Sequence, residues 1–103
     1  MSRTPIHPGE ILGDELRELG VAHEGLGRDL GVSGSTINRI VTGKQAITAE
    51  MALRLGHWFG TTPRFWINLQ AQYDLRVAEG KIGESVKTLP TRPDAASSVH
   101  AAE

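Results

Sequence analysis

Between residues 34 and 44 the chain reads GSTINRIVTGK, and there Ser35, Asn38, Arg39 and Thr42 recur at i, i+3, i+4 and i+7. In a helix these four share one face, while Ile37, Ile40 and Val41 take the other. The polar face carries hydrogen-bonding groups: a planar guanidinium with five donors, an amide that donates and accepts, and hydroxyls that do either. A guanidinium can give two parallel bonds to the N7 and O6 edge of a guanine in a DNA major groove, and amides, hydroxyls and an ammonium can hold phosphates. On that chemistry Arg39 is the expected base reader, Ser35 and Thr36 touch bases or nearby phosphates, and Asn38 and Lys44 grip the backbone. Thr42 shares the face, and Ser33, one residue ahead of the helix, is its expected cap. Lys44 in its loop reads equally as a solvated lysine.

Such a face works only if a neighbouring helix holds it at a fixed angle. Upstream, Leu26 and Leu30 lie four apart on one face, Gly27 is small enough for a close crossing, and Gly31 can supply the positive-φ turn that ends that helix. Ile37, six residues beyond Gly31, is the apolar anchor on the other side. Two helices crossing steeply through a short turn make a helix-turn-helix. The competing reading is an ordinary helical hairpin in a bundle, against which the all-polar outward face speaks.

The remaining segments predict an all-α, five-helix domain over residues 1–81 followed by a disordered tail over 82–103. Pro8 suits a first helical position, Ile11, Leu12, Leu16 and Leu19 make an apolar face, and Gly20 ends the first helix near residue 19. Thr48 caps a fourth helix whose Met51, Ala52, Leu55 and Phe59 face inward before Gly60. A fifth starts at Thr62-Pro63 and runs to about Gly80 with two apolar stripes. Trp66, Leu69, Tyr73 and Val77 form one, and Ile67, Ala71, Leu75 and Ala78 form the other. One core face needs only the first, so the second is expected to meet a partner, a homodimer mate or another protein, the competing reading being that the short domain wraps both stripes internally. Beyond Lys81, two prolines, small polar residues and little periodicity read as disorder.

The other chemistries find little support. The chain has no cysteine, and its histidines, His7, His23, His57 and His100, show neither i, i+4 pairing nor carboxylates at ligand spacing, so no metal site is expected. They read as surface or cap-region residues. The glycines of GLGRDLG lack the lysine and strand context of a phosphate-cradling loop, and no serine sits in a nucleophile elbow. No catalytic residue and no cofactor is expected. Neither a signal-like start nor a membrane-length apolar run is present, which makes the cytoplasm the expected compartment and a membrane an unexpected partner. The formal charge of −1 opposes a nucleic-acid role in the sum, but from Gly34 to Thr48 the only charges are Arg39 and Lys44. The acids gather instead at Glu10, Asp14, Glu15 and Glu18 and at Asp74, Glu79 and Glu84.

Over residues 5–79 the words HPGEIL, LGRDLGVSGSTINRIVTGK, ITAEMALRL, FG and FWINLQAQYDL follow one another in an order that closely resembles the HigA antitoxins of the phage-repressor (XRE) class. The resemblance implies a dimeric, all-α cytoplasmic transcription regulator. It implies too that the chain represses its own operon and neutralises a HigB-type, ribosome-dependent mRNA interferase. Similar proteins usually begin the second helix with Gln and follow Gly-Lys with Arg-Pro, whereas this chain has Ala22-His23 and Gln45-Ala46. The alternatives are a stand-alone phage-type repressor without a toxin, and a protein-interaction module with a vestigial helix-turn-helix.

Overall fold

The computed structural model describes residues 4–93, and among these the chain forms five α-helices and no strand. They are α1 (Pro8–Leu19), α2 (His23–Leu30), α3 (Gly34–Val41), α4 (Ala49–Phe59) and α5 (Pro63–Lys87). Side chains placed just ahead of the first turn set four of the starts. The oxygens of Ser33, Thr48 and Thr62 accept the backbone N–H three residues on, and the Nδ1 of His7 accepts from Gly9 at 2.9 Å. Ala22, ahead of α2, offers no such bond. The helices α1, α2 and α4 each end at a glycine in the left-handed region, Gly20, Gly31 and Gly60.

Leu12 and Leu16 of α1, Leu26 and Leu30 of α2, Ile37 and Ile40 of α3, Met51, Ala52 and Leu55 of α4, and Trp66 of α5 enclose one core, with Ile47 from the α3–α4 loop. Three expected inward residues depart from the pattern, Ile11 being only partly buried. Leu19 is exposed, because α1 ends on it and the chain turns away at Gly20, and Phe59 is only partly buried against the core edge.

The larger departure is α5, which continues to Lys87 rather than stopping near Gly80, so residues 82–87 are helix rather than the start of a disordered tail. Gly80 and Gly83 weaken this stretch but neither adopts a positive φ, and an interior glycine costs only about 1 kcal/mol relative to alanine. A Glu84–Lys87 pair at 3.2 Å lies in the last turn, and the Thr88 hydroxyl donates to the Ser85 carbonyl at 2.8 Å. Pro90, which disfavours helical geometry at Leu89, then closes the run. Residues 94–103 of the expected tail lie outside the described residues. At 25 residues, α5 is about 37 Å long. From Asp74 onward its residues are exposed except for the half-buried Val77 and Gly83.

Candidate nucleic-acid interface

At the α2–α3 crossing the helices meet backbone to backbone. A Cβ on Gly27 would come within 2.7 Å of the Val32 carbonyl oxygen and 2.9 Å of the Gly34 nitrogen, and one on Gly34 within 2.8 Å of the Glu24 side chain. Gly31, at φ 78°, turns the chain between them, and the Val32 N–H donates to the Gly27 carbonyl at 2.8 Å. From α4, Arg54 donates to the Leu30 carbonyl at 2.6 Å, and the Trp58 indole N–H donates to Asp29 at 3.0 Å. The end of α2 is therefore tied to α4 at two points.

A second brace lies at the other end of α3. Gly9 abuts it so closely that an added Cβ would overlap the Ile40 carbonyl. Beyond α3 the Lys44 N–H donates to the Arg39 carbonyl at 2.8 Å, and Gly43 adopts a φ of 79°. The Ile47 N–H then donates to the Oε1 of Gln70 at 2.7 Å, and the Nε2 of Gln70 donates to Asp74 at 3.0 Å. Both Ile47 and Gln70 are buried, so α5 reaches through the core edge to fix the loop that follows α3.

On this frame Ser33, Ser35, Asn38, Arg39, Thr42 and Lys44 are exposed and Thr36 is half-buried. The Ser33 hydroxyl accepts from the Thr36 N–H at 3.0 Å and lies 2.9 Å from the Thr36 hydroxyl. The Arg39 Nη1 donates to Ser35 at 2.8 Å, its Nε donates to the Oε1 of Gln45 at 2.9 Å, and its Nη2 is 3.5 Å from the Thr36 hydroxyl. The Thr42 hydroxyl donates back to the Asn38 carbonyl at 2.8 Å, so what it offers outward is acceptor capacity. All seven sequence-selected residues lie along α3, from its cap at Ser33 to Thr42 at its far end, or in the loop just after it.

Three residues that shape this region escaped the sequence reading, and a fourth was read only in part. Gln45 registers there only as a missing cation, Gln70 falls between two apolar stripes, and Gly9 sits in a helix where a glycine has no evident purpose. The fourth is His7, which caps α1 as a cap-region histidine but is buried rather than at the surface. Its ring is buried and meets Tyr73 edge to face at 4.8 Å. Burial lowers the His7 pKa below its ordinary 6.5, against the opposing pull of the Asp74 and Glu10 carboxylates. Among the described residues no three His, Asp or Glu side chains gather as a metal-holding group, and no helix is long and apolar enough to cross a membrane.

The second stripe of α5 leaves the core only after its first residue, since Ile67 packs against the core edge. Ile67 is half-buried, Ala71, Leu75 and Ala78 are exposed, and Leu75 reaches 62% exposure. Its line continues through Ile82 and Val86, and together with Leu75 and Ala78 these border a shallow groove.

A helix-turn-helix family model matches residues 14–66, which spans α2, α3 and α4. The virulence-associated protein I of Dichelobacter nodosus is 48% identical over 75 residues, 72% of this chain and 69% of that protein. A solved addiction-module antidote protein of the HigA family from Coxiella burnetii superposes with a TM-score of 0.84 at 42% identity, covering 86% of this chain and 98% of that one. The Pseudomonas aeruginosa antitoxin HigA, solved with the higBA promoter, superposes with a TM-score of 0.81 at 43% identity over the same shares of the two chains. With its five-helix order, its helix-turn-helix at α2–α3 and these likenesses, the chain belongs to the helix-turn-helix family, within its HigA antitoxin group.

Proposed function

We propose that this chain is an operator-binding antitoxin that represses its own operon as a two-fold dimer and neutralises a HigB-type mRNA interferase. The observation that carries the reading is the outward face of α3, where Arg39, Ser35 and Asn38 stand exposed on a helix braced from both ends. In this reading α3 enters the major groove, Arg39 donates to a guanine edge, Ser35 and Thr36 meet bases or adjacent phosphates, and Asn38 and Lys44 hold the backbone. Ser33 and Thr42 complete the contact surface at the two ends of the helix. The likeness to an antitoxin solved with promoter DNA supports a DNA-binding role.

Two small basic patches bind usefully only together. With only Arg39 and Lys44 as cations between Gly34 and Thr48, one subunit neutralises few phosphates, so affinity comes from pairing. The apolar line of Ile67, Ala71, Leu75 and Ala78 is where a second copy would pack, setting the two α3 helices about 34 Å apart or a multiple of that. No catalytic step is assigned to the chain; its action on the toxin is to bind it.

Duplex binding across a salt series, with the promoter of its own gene as probe, tests the DNA half of this reading. The logarithm of affinity should fall linearly with the logarithm of salt concentration, at a slope fixed by the phosphates contacted. Binding that shows no preference for the promoter over an unrelated duplex at any salt concentration overturns it. Co-expression with a HigB-type mRNA interferase tests the other half, which fails if the chain does not relieve that protein's growth arrest.

A further inference from the structure

We infer that Gln45, outside the recognition helix, is the positioning residue that fixes how Arg39 presents its guanidinium, and so sets which base α3 accepts. The inference rests on the proposed reading of DNA by Arg39 and adds to it the group that aims the reader. An arginine on an exposed helix face samples many rotamers, and a bidentate contact needs its planar fork in one orientation. Here the plane is pinned from two sides. Ser35, one turn back on α3, holds Nη1 at 2.8 Å, and Gln45, across the following loop, holds Nε at 2.9 Å. Each bond is directional in the guanidinium plane, so two at different nitrogens restrict its orientation, and Thr36 at 3.5 Å from Nη2 adds a weak third.

The commitment of Nε has a directional consequence. An arginine can meet a base through its side edge, using Nε and one Nη, or through its end, using both Nη groups. With the only Nε hydrogen given to Gln45, the side edge is spent, and the end retains hydrogens on Nη1 and Nη2. Gln45 therefore selects end-on presentation. Its own position is firm: it is half-buried in a loop closed by the bond from the Lys44 N–H to the Arg39 carbonyl and anchored by that from Ile47 to Gln70. Its chemistry also suits the task. A neutral amide accepts from Nε without cancelling the charge of the guanidinium, which a carboxylate would do beside the phosphates of a duplex.

The test compares the full chain with Gln45→Met, which keeps length and removes the acceptor, and Gln45→Glu, which keeps the acceptor and adds charge. Each is titrated at fixed salt against the promoter duplex and against duplexes with single guanines replaced by adenine, and thermal melting checks that each variant is folded. Gln45→Met should lower the preference for one particular guanine by about tenfold, with salt slope and melting temperature unchanged. Gln45→Glu should keep that preference while binding all duplexes more weakly at low salt. If Arg39→Ala leaves every guanine preference intact, base reading by Arg39 fails and the inference falls with it. If Arg39→Ala removes the preference but Gln45→Met keeps it, or if Gln45→Met binds more tightly than the parent, Arg39 reads bases and the positioning role of Gln45 is overturned.

Discussion

Replacing Gln70 by methionine isolates a single buried hydrogen bond. The side chain is 7% exposed, and its Oε1 accepts the N–H of Ile47, itself 2% exposed, at 2.7 Å. Methionine is close in volume and fits the same helical position, so neither a cavity nor a helix-propensity change enters. What changes is that the Ile47 N–H loses its acceptor in a place water does not reach, and a stranded buried donor costs about 1–3 kcal/mol. Asp74 also loses the Nε2 donor, but its residue is exposed and water replaces that bond at little cost. Taking about 2 kcal/mol, a domain of this size should melt roughly 8–16 °C lower. The assay is thermal unfolding by circular dichroism at several matched protein concentrations, because a dimer's melting temperature moves with concentration. A Gln70→Met variant melting within about 2 °C of the parent at every concentration would show that the bond does not hold the loop, and the brace behind Lys44 and Gln45 would have to lie elsewhere.

Three further outcomes follow from the same geometry. Gly9→Ala drives a Cβ into the Ile40 carbonyl with backbone on both sides, so it should destabilise by about 3 kcal/mol or more, while Gly80→Ala, in open space on a helix, should stabilise by about 0.5–1 kcal/mol; equal denaturation midpoints for the two would refute the contact. Leu75→Glu, at a 62% exposed position, should leave the helical spectrum intact and yield monomers with weakened operator binding, and a dimer persisting in sedimentation would place the interface off this stripe. For His7 the folded pKa lies below the ordinary 6.5, so the unfolded chain binds the proton more readily and stability present above about pH 6.5 is lost as the pH falls through the folded value. The His7→Asn variant retains a cap without a titrating ring, and its urea midpoint should vary less between about pH 7 and 5 than the parent's.

How legible each feature was in the sequence depended on whether its cause is local. Caps and stops act within a few residues, which is why Ser33, Thr48 and Thr62 at the starts and Gly20, Gly31 and Gly60 at the ends were readable. The polar face of α3 was equally open, since period and residue type decide it. What escaped depends on distant partners. Gly9 matters because of a carbonyl 31 residues away, Gln70 because of an amide 23 residues back, and Leu19 looked inward until the chain turned off beyond it. The end of α5 was misjudged for the opposite reason: Gly80 and Gly83 resemble local stops, and only their helical φ shows that they are interior.

At eight residues, α3 is too short to persist as a helix by its own hydrogen bonds, and its fixity is borrowed. It takes a cap from Ser33, a backbone-close crossing from Gly27 and Gly34, a contact at its end from Gly9, and a braced exit loop from Gln70. None of these uses the side chains at 35, 38, 39 or 42 to reach the core, which Ile37 and Ile40 already fill. The outward positions are thus released from folding and left to chemistry. By the same division α5 carries the outer part of its second stripe, Ala71, Leu75 and Ala78, on exposed residues beyond Ile67, which still packs against the core. Surfaces separated this way can change independently, so substitutions on the α3 face should alter which duplex is bound without altering how the chain folds or pairs. Two couplings remain: one runs through the loop after α3, where Gln70 on the long helix steadies the segment that carries Gln45, and the other through the start of α1, where His7 meets Tyr73 of α5 and Gly9 abuts Ile40 of α3.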